Sequence, residues 1–306
     1  MDFSQFDRVF GPLDPFPYNR AVIQKIELAR KSNEGSLFID RVLRAVKLDK
    51  AASNYPPKSE DALRQLHQRV YESNNINVQH KLSIIYYLLL DLDHRVAFQS
   101  TKADTFAVRA GVPAKYQTFM KGLWHMDAQD FEAALTHLTH PSLIPEFADD
   151  IITVLIRHAK NGDYTLPLAY YHSVQPVLQD SSALRLLFDA LARSSVIDAL
   201  EFCRSHADYM RRQLFQRLVV VVLDSAPAHK DELAAKAFEL TSLPFDAQEE
   251  LWFNECLESG EGKRLRAAKD TLLMRRIATG QATTGGEKGA WSVVLEGFKA
   301  GSGGRA

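Results

Sequence analysis

Cysteine is scarce. The 306 residues hold two, Cys203 and Cys256, fifty-three positions apart and outside any C-x-x-C pair. That excludes a disulfide framework and a cysteine-rich zinc site, and it makes a reducing interior the natural compartment. Long apolar runs are missing as well. The longest, Ile84 to Leu90 and Leu218 to Leu223, fall far short of the roughly 20 residues that a membrane helix needs. The start, Met1-Asp2-Phe3-Ser4-Gln5, has an acid where a secretory leader has its basic region. A soluble, intracellular chain is expected. An excess of one charge is also lacking: 37 Lys and Arg stand against 38 Asp and Glu, a net charge of −1 with neutral His. That balance gives no global drive toward nucleic acid or an anionic membrane, so only a local patch could supply one.

Hydrophobic residues at 46% and charged residues at 25% are those of an ordinary globular protein, long enough to bury a sizeable core. Glycine and proline show the organisation. Eight of the 15 glycines fall within Gly280 to Ala306, a stretch without proline, while all 12 prolines lie at or before Pro244. Residues 280–306 therefore read as a Gly-rich flexible tail and 18–279 as the folded body. The prolines of Phe10-Gly11-Pro12-Leu13-Asp14-Pro15-Phe16-Pro17-Tyr18 bar a helix there, and 1–17 reads as an extended lead-in.

The body has helical periodicity almost throughout. Phe131, Ala134, Leu135 and Leu138 give the i, i+3, i+4, i+7 stripe, as do Leu184, Leu187, Phe188 and Leu191. Ser195 with Asp198, Asp127 with Asp130, and Asp246 with Glu249 have the spacing of capped helix starts. Asn54-Tyr55-Pro56-Pro57, His140-Pro141, Asn161-Gly162 and Leu243-Pro244 are stops, and about thirteen helices fit between these signals. Leu218-Val219-Val220-Val221-Val222-Leu223 has strand propensity, but no turn residue separates it from Met210 to Arg217, and a lone strand would leave its backbone unpaired. It reads as the buried half of a long helix. Asp130 to Leu135 is echoed at Ser195 to Leu200, 65 residues on, about two helix-pair units of the kind that stack. The expected fold is all-α: a solenoid-like stack of antiparallel helix pairs followed by the tail.

No catalytic constellation stands out, and no cofactor or metal is expected. Gly260-Glu261-Gly262-Lys263-Arg264 lacks the first glycine of a phosphate loop and has Arg where a magnesium-binding Ser or Thr belongs, so it reads as a loop between helices. His137 and His140 form an H-x-x-H pair with no third ligand nearby, and His158 continues the apolar stripe of Ile151, Val154 and Leu155 as a structural histidine. Asp91, Asp93, Asp149 and Asp150 sit at helix ends and read as structural.

Two segments carry partner-binding expectations. Lys263, Arg264, Arg266, Lys269, Arg275 and Arg276 face one acid, Asp270, along a basic amphipathic helix with Leu265, Ala268 and Leu272 as its apolar stripe. Phosphate-backbone contact, an acidic protein partner and a plain solvated face all fit it. Within the tail stands an apolar island, Trp291, Val293, Val294, Leu295 and Phe298. A mere spacer would not need five large apolar groups, so the island reads as a linear docking motif that orders on binding, the alternative being a segment folded back onto the body.

Several runs together resemble the ELYS-like domain: Phe38-Ile39-Asp40-Arg41-Val42-Leu43, Tyr55-Pro56-Pro57-Lys58-Ser59, and Lys81 to Asp91. Leu123-Trp124-His125-Met126-Asp127-Ala128-Gln129-Asp130-Phe131-Glu132-Ala133-Ala134-Leu135, then Leu138-Thr139-His140-Pro141-Ser142, resemble the family's tryptophan-bearing helix turn and its Leu-Thr-His-Pro motif. The similarity spans roughly residues 18 to 280 in order. It implies a structural nucleoporin attached to the Y-shaped outer-ring scaffold of the nuclear pore complex, located at the nuclear envelope. Its partners would be scaffold nucleoporins, with no enzyme activity, small-molecule substrate or membrane insertion. Larger animal members carry a β-propeller and DNA-binding hooks; this sequence has neither and resembles the short fungal-type form. The alternative is a nucleic-acid or chromatin adaptor using the basic helix.

Overall fold

The computed structural model describes residues 3–74, 76–94, 102–224 and 230–280, without the side chains of 230–233. All regular structure among them is helical: α1 Phe6–Phe10, α2 Arg20–Ser32, α3 Phe38–Ala45, α4 Asp49–Ala52, α5 Glu60–Glu72, α6 Val78–Asp93, α7 Lys102–Ala110, α8 Ala114–Ala128 and α9 Phe131–Leu138. There follow α10 Ala148–His158, α11 Thr165–Val174, α12 Ser181–Ser194, α13 Val196–Arg204, α14 Asp208–Leu223, α15 Lys230–Ser242, α16 Ala247–Glu258, a 3-10 turn Glu261–Arg264 and α17 Ala268–Ala278. The number exceeds thirteen partly because α1 and α4, of five and four residues, are too short to display a stripe. Many contacts join helices adjacent or next but one in the chain, such as α6 with α7, α8 with α9, α13 with α14 and α14 with α16, which is compatible with a solenoid-like stack of helix pairs. Two compact units divide the chain, Met1–Ala183 and Leu184–Ala306.

The extended lead-in expected over residues 1–17 gives way at Phe6–Phe10. Phe6, Val9 and Phe10, spaced i, i+3, i+4, are buried by the α1 turn against α5, where the rings of Phe6 and Phe10 lie 5.9 and 5.6 Å from His67. Beyond Gly11 the prolines keep the chain out of helix as far as α2.

In the first unit α6 is the core element: Leu82 through Leu92 are all buried, which an apolar sequence without a polar face allows. Helix α8 lies against α6, α3, α2 and α9. Gly122 sets the closeness of α8 to α9, since a Cβ there would stand 2.6 Å from Leu138 Cδ2. Gln129, left-handed at φ 62°, ends α8, and Asp130 then caps α9 by accepting from Ala133 N at 3.4 Å. The matching start at Ser195 caps α13 through Asp198 N at 3.2 Å, so the internal echo is a repeated helix start.

Asp127 does not serve that cap. It lies in the last turn of α8, and its buried carboxylate reaches another helix: it accepts from Phe38 N at 2.7 Å and Ile39 N at 3.0 Å, the first orphan donors of α3, and from Tyr87 Oη–H at 2.8 Å. Helix α3 needs this service because the residue before it, Leu37, has no acceptor in its side chain. The same device recurs at Asp93, which accepts from Ala103 N in the first turn of α7 at 2.8 Å, while Asp149 accepts from Gln179 N and Asp180 N, both at 3.0 Å, in the segment just ahead of α12.

In the second unit α14 is the spine. Leu218, Val219, Val221, Val222 and Leu223 are buried in its last turns, with α13, α15 and α16 against it, which confirms the helical reading of the valine run. Asp246 and Glu249 form the expected capping box on α16, with bonds of 2.8 and 3.0 Å.

Burial raises the Asp127 carboxyl to about 7, against the lowering pull of its three donors. A raised acid binds its proton more tightly in the folded state, so its contribution to stability declines as pH rises from the ordinary carboxylate range toward that value. Asp127→Ala, which strands three buried donors, is expected to cost about 3 kcal/mol or more in urea unfolding. Asp127→Asn, which keeps one acceptor oxygen, should cost less and remove that pH-dependent decline.

Candidate functional site

The basic run from Lys263 to Arg276 is two elements rather than the single helix its stripe predicts. Leu265 is extended between the 3-10 turn and α17. The cause lies in the two glycines that precede it. A Cβ on Gly262 would meet Leu257 Cδ2 at 2.8 Å and the Cys256 carbonyl oxygen at 3.1 Å, and one on Gly260 would meet Cys256 Cα at 3.0 Å. The backbone therefore turns hard against the end of α16 before α17 begins, with the sulfur of Cys256 enclosed beneath it. This stretch is a turn between helices, as the rejected phosphate-loop pattern required.

Arg275 does not belong to a basic surface, which corrects the expectation. It shares the inner face of α17 with Ala268 and Thr271 and is buried. Its Nη1 donates to the carbonyls of Thr241 and Leu243, each at 2.6 Å, Nε and Nη2 donate to Glu250, and the guanidinium lies 4.2 Å from the Phe245 ring centroid. Arg276 is exposed and paired with Glu258 at 2.7 Å. Lys263, Arg264, Arg266 and Lys269 remain exposed, with no carboxylate within ion-pair distance among the described residues.

Beside this turn, α14 and α16 form an open groove of about 450 Å³. Its walls are Tyr209, Arg212, Gln213 and Gln216 from α14, and Glu255, Cys256, Ser259, Gly260 and Glu261 opposite. Tyr209 is 77% exposed, and Arg212 holds both Glu255 oxygens at 2.7 Å. Sequence reasoning missed this groove, although its α14 wall is spaced i, i+3, i+4, i+7, a polar stripe opposite the apolar one. Deeper in the unit, Glu249 is fully buried and held by Arg204 at 2.7 Å and by Arg211. Burial would raise its carboxyl, but the two guanidiniums hold it below the usual carboxylate range.

The residues that carry the family resemblance converge in the interior of the first unit. Arg30 donates to Asp40 at 2.9 and 3.1 Å and to the Tyr55 carbonyl at 2.7 Å. Tyr55 Oη–H and Trp124 Nε1–H both donate to Asp91, at 2.8 and 3.2 Å. Together with Tyr87 and Asp127, these bonds tie α2, α3, α6, α8 and the 53–59 loop into one polar lattice. The H-x-x-H pair is split: His137 stacks on His125 at 5.5 Å, while His140 Nδ1 meets Ser142 Oγ at 2.8 Å. His158 is the structural histidine expected, with Nδ1 at 2.8 Å from the Val154 carbonyl and its ring on Phe131. Cys203 is buried, which pushes its thiol up to about 12, outside the range of a reactive nucleophile. Trp291, Val293, Val294, Leu295 and Phe298 lie outside the described residues. No described helix is long and apolar enough to cross a membrane.

The two neighbouring arginines of α17 should respond very differently to substitution. Arg275→Met strands Glu250 and two carbonyls and is expected to cost about 3 kcal/mol in urea unfolding, whereas Arg276→Met, at an exposed pair, should cost under about 1 kcal/mol. Similar losses at both positions would show that the buried clamp has no special weight.

Compared with known proteins, residues 36–260 match the family model ELYS, described as nuclear pore complex assembly. The uncharacterized protein ely5 of Schizosaccharomyces pombe is 28% identical over 255 residues, covering 81% of this chain and 79% of the relative. The human protein ELYS is 23% identical over 212 residues, which cover 62% of this chain and 9% of the human protein. With the family model spanning well over half of its length, and with the motif residues locked together in the fold, this chain belongs to the ELYS nuclear pore complex assembly family.

Proposed function

We propose that the chain is a structural nucleoporin: a non-catalytic helical body that attaches to the Y-shaped outer-ring scaffold of the nuclear pore complex, supports pore assembly and thereby serves protein and mRNA transport. The family match over residues 36–260 carries this reading. The fold supports it physically. The residues that carry the family pattern are engaged in interior hydrogen bonds, including Asp40, Asp91, Trp124 and Asp127. Such a lattice gives a rigid shape, which is what an assembly component contributes. Its place of action is the nucleus, at the nuclear pore complex, as for the family.

Attachment by the apolar island Trp291, Val293, Val294, Leu295 and Phe298 completes the proposal. Its large apolar groups have the character of interface anchors, and a glycine-flanked segment can order against a partner. A fluorescently tagged chain is expected at the nuclear rim, co-purifying with outer-ring nucleoporins; a diffuse cytosolic signal would overturn the reading. Truncation after Gly280, or the double change Trp291→Ala and Phe298→Ala, should weaken that co-purification about tenfold or more while leaving thermal unfolding unchanged. If the melting temperature drops by many degrees and capture is retained, the island belongs to the folded core.

A further inference from the structure

Six arginines of the second unit are neutralised within it. Arg204 and Arg211 share Glu249, Arg212 meets Glu255, Arg217 meets Asp189, Arg275 meets Glu250 and Arg276 meets Glu258. Lys263, Arg264, Arg266 and Lys269 differ. They are four cations within seven positions, all exposed and, among the described residues, all without an ion-pair partner. They are also held on a fixed frame. Upstream, Gly260 and Gly262 press the turn against Cys256 and Leu257; downstream, Arg275 fastens α17 to Glu250 and to the carbonyls of Thr241 and Leu243. A backbone held in this way need not be ordered when a ligand binds, which leaves only the side chains to be fixed. The groove of Tyr209, Gln213, Gln216 and Ser259 opens directly beside the turn, sharing Gly260 and Glu261 with it, and its amides and hydroxyls suit a peptide backbone.

We propose that this turn is a docking platform for an acidic segment of a partner protein, whose carboxylates pair with Lys263, Arg264, Arg266 and Lys269 while its backbone lies along the groove. Charge complementarity selects the occupant. Glu261 and Asp270 are exposed at either end of the cationic cluster, and Glu261 also faces the groove. A continuous phosphate backbone would meet repulsion there, whereas a peptide can space its carboxylates to avoid both. Four cations are also few for nucleic acid, whose affinity grows with the number of phosphates neutralised. The four cations lie beyond residue 260, outside the span matched by the family model, while the groove walls from Tyr209 to Gly260 lie within it. The platform is read in solution and stands apart from the assignment to the pore.

The test uses the full chain and fluorescence anisotropy with a fluorescein-labelled glutamate-rich peptide about twelve residues long. Saturable binding is expected at about 50 mM salt, weakening about tenfold by about 300 mM as the charges are screened. Replacing Lys263, Arg264, Arg266 and Lys269 together by Glu should abolish it. Replacing the same four by Gln, which removes charge without adding any, should weaken it about tenfold or more. Arg264→Lys with Arg266→Lys should retain it within about threefold, and the melting temperature of all three variants should match the parent because every site is exposed. Absence of binding at low salt, or undiminished binding by the Glu and Gln variants, overturns the proposal. So does tighter binding of a short DNA duplex or RNA strand than of the peptide.

Discussion

A buried carboxylate set against the start of a foreign helix is the constraint around which the first unit is built. Helix α3 begins after Leu37, which has no acceptor in its side chain, yet its opening N–H groups are buried and cannot be left unpaired. Asp127 supplies the acceptors from α8. Its carboxylate is thereby drawn inward between α3 and α6, where the Tyr87 hydroxyl of α6 completes its hydrogen bonding. The neighbouring pair of Tyr55 and Trp124 on Asp91 follows the same logic one turn along α6. Each such group is costly if stranded and stabilising when fully served, so the lattice strongly favours one arrangement of α2, α3, α6 and α8.

The second unit solves the same problem with arginine. Glu249 is enclosed completely, and two guanidiniums compensate its charge where water cannot. Arg275 does the complementary service for the end of α15, whose last carbonyls have no helical partner: it donates to Thr241 and Leu243 while Glu250 balances its charge. Helix α17 is thereby a structural closing piece although it lies beyond the span that the family model matches.

Both strategies work in the interior of their units. The chemically rich side chains are consumed inside, as hydrogen-bond hubs and charge clamps, which gives the body definition and leaves the outside for contact. Among the described residues, the surface of the second unit includes a cationic turn set on glycines with a polar groove next to it. Rigid presentation of few groups favours specificity over raw affinity.

The sequence by itself determined the all-α class, the helix ends at His140-Pro141 and Leu243-Pro244, the caps at Ser195 and Asp246, the helical state of the valine run and the family. These rest on local periodicity and on cap and breaker chemistry, which operate over a few residues. Tertiary structure alone decided where Asp127 and Arg275 work. Both look like members of a local pattern, a cap with Asp130 and a basic face with Arg276. Their partners, Phe38 and Glu250, lie 89 and 25 residues away in the chain. It likewise decided that the basic run breaks at Leu265, because the close approach of Gly260 and Gly262 to α16 is a packing event that no periodicity encodes. A side chain's local pattern states what it can donate or accept, and only the packed fold brings the group that takes up the offer.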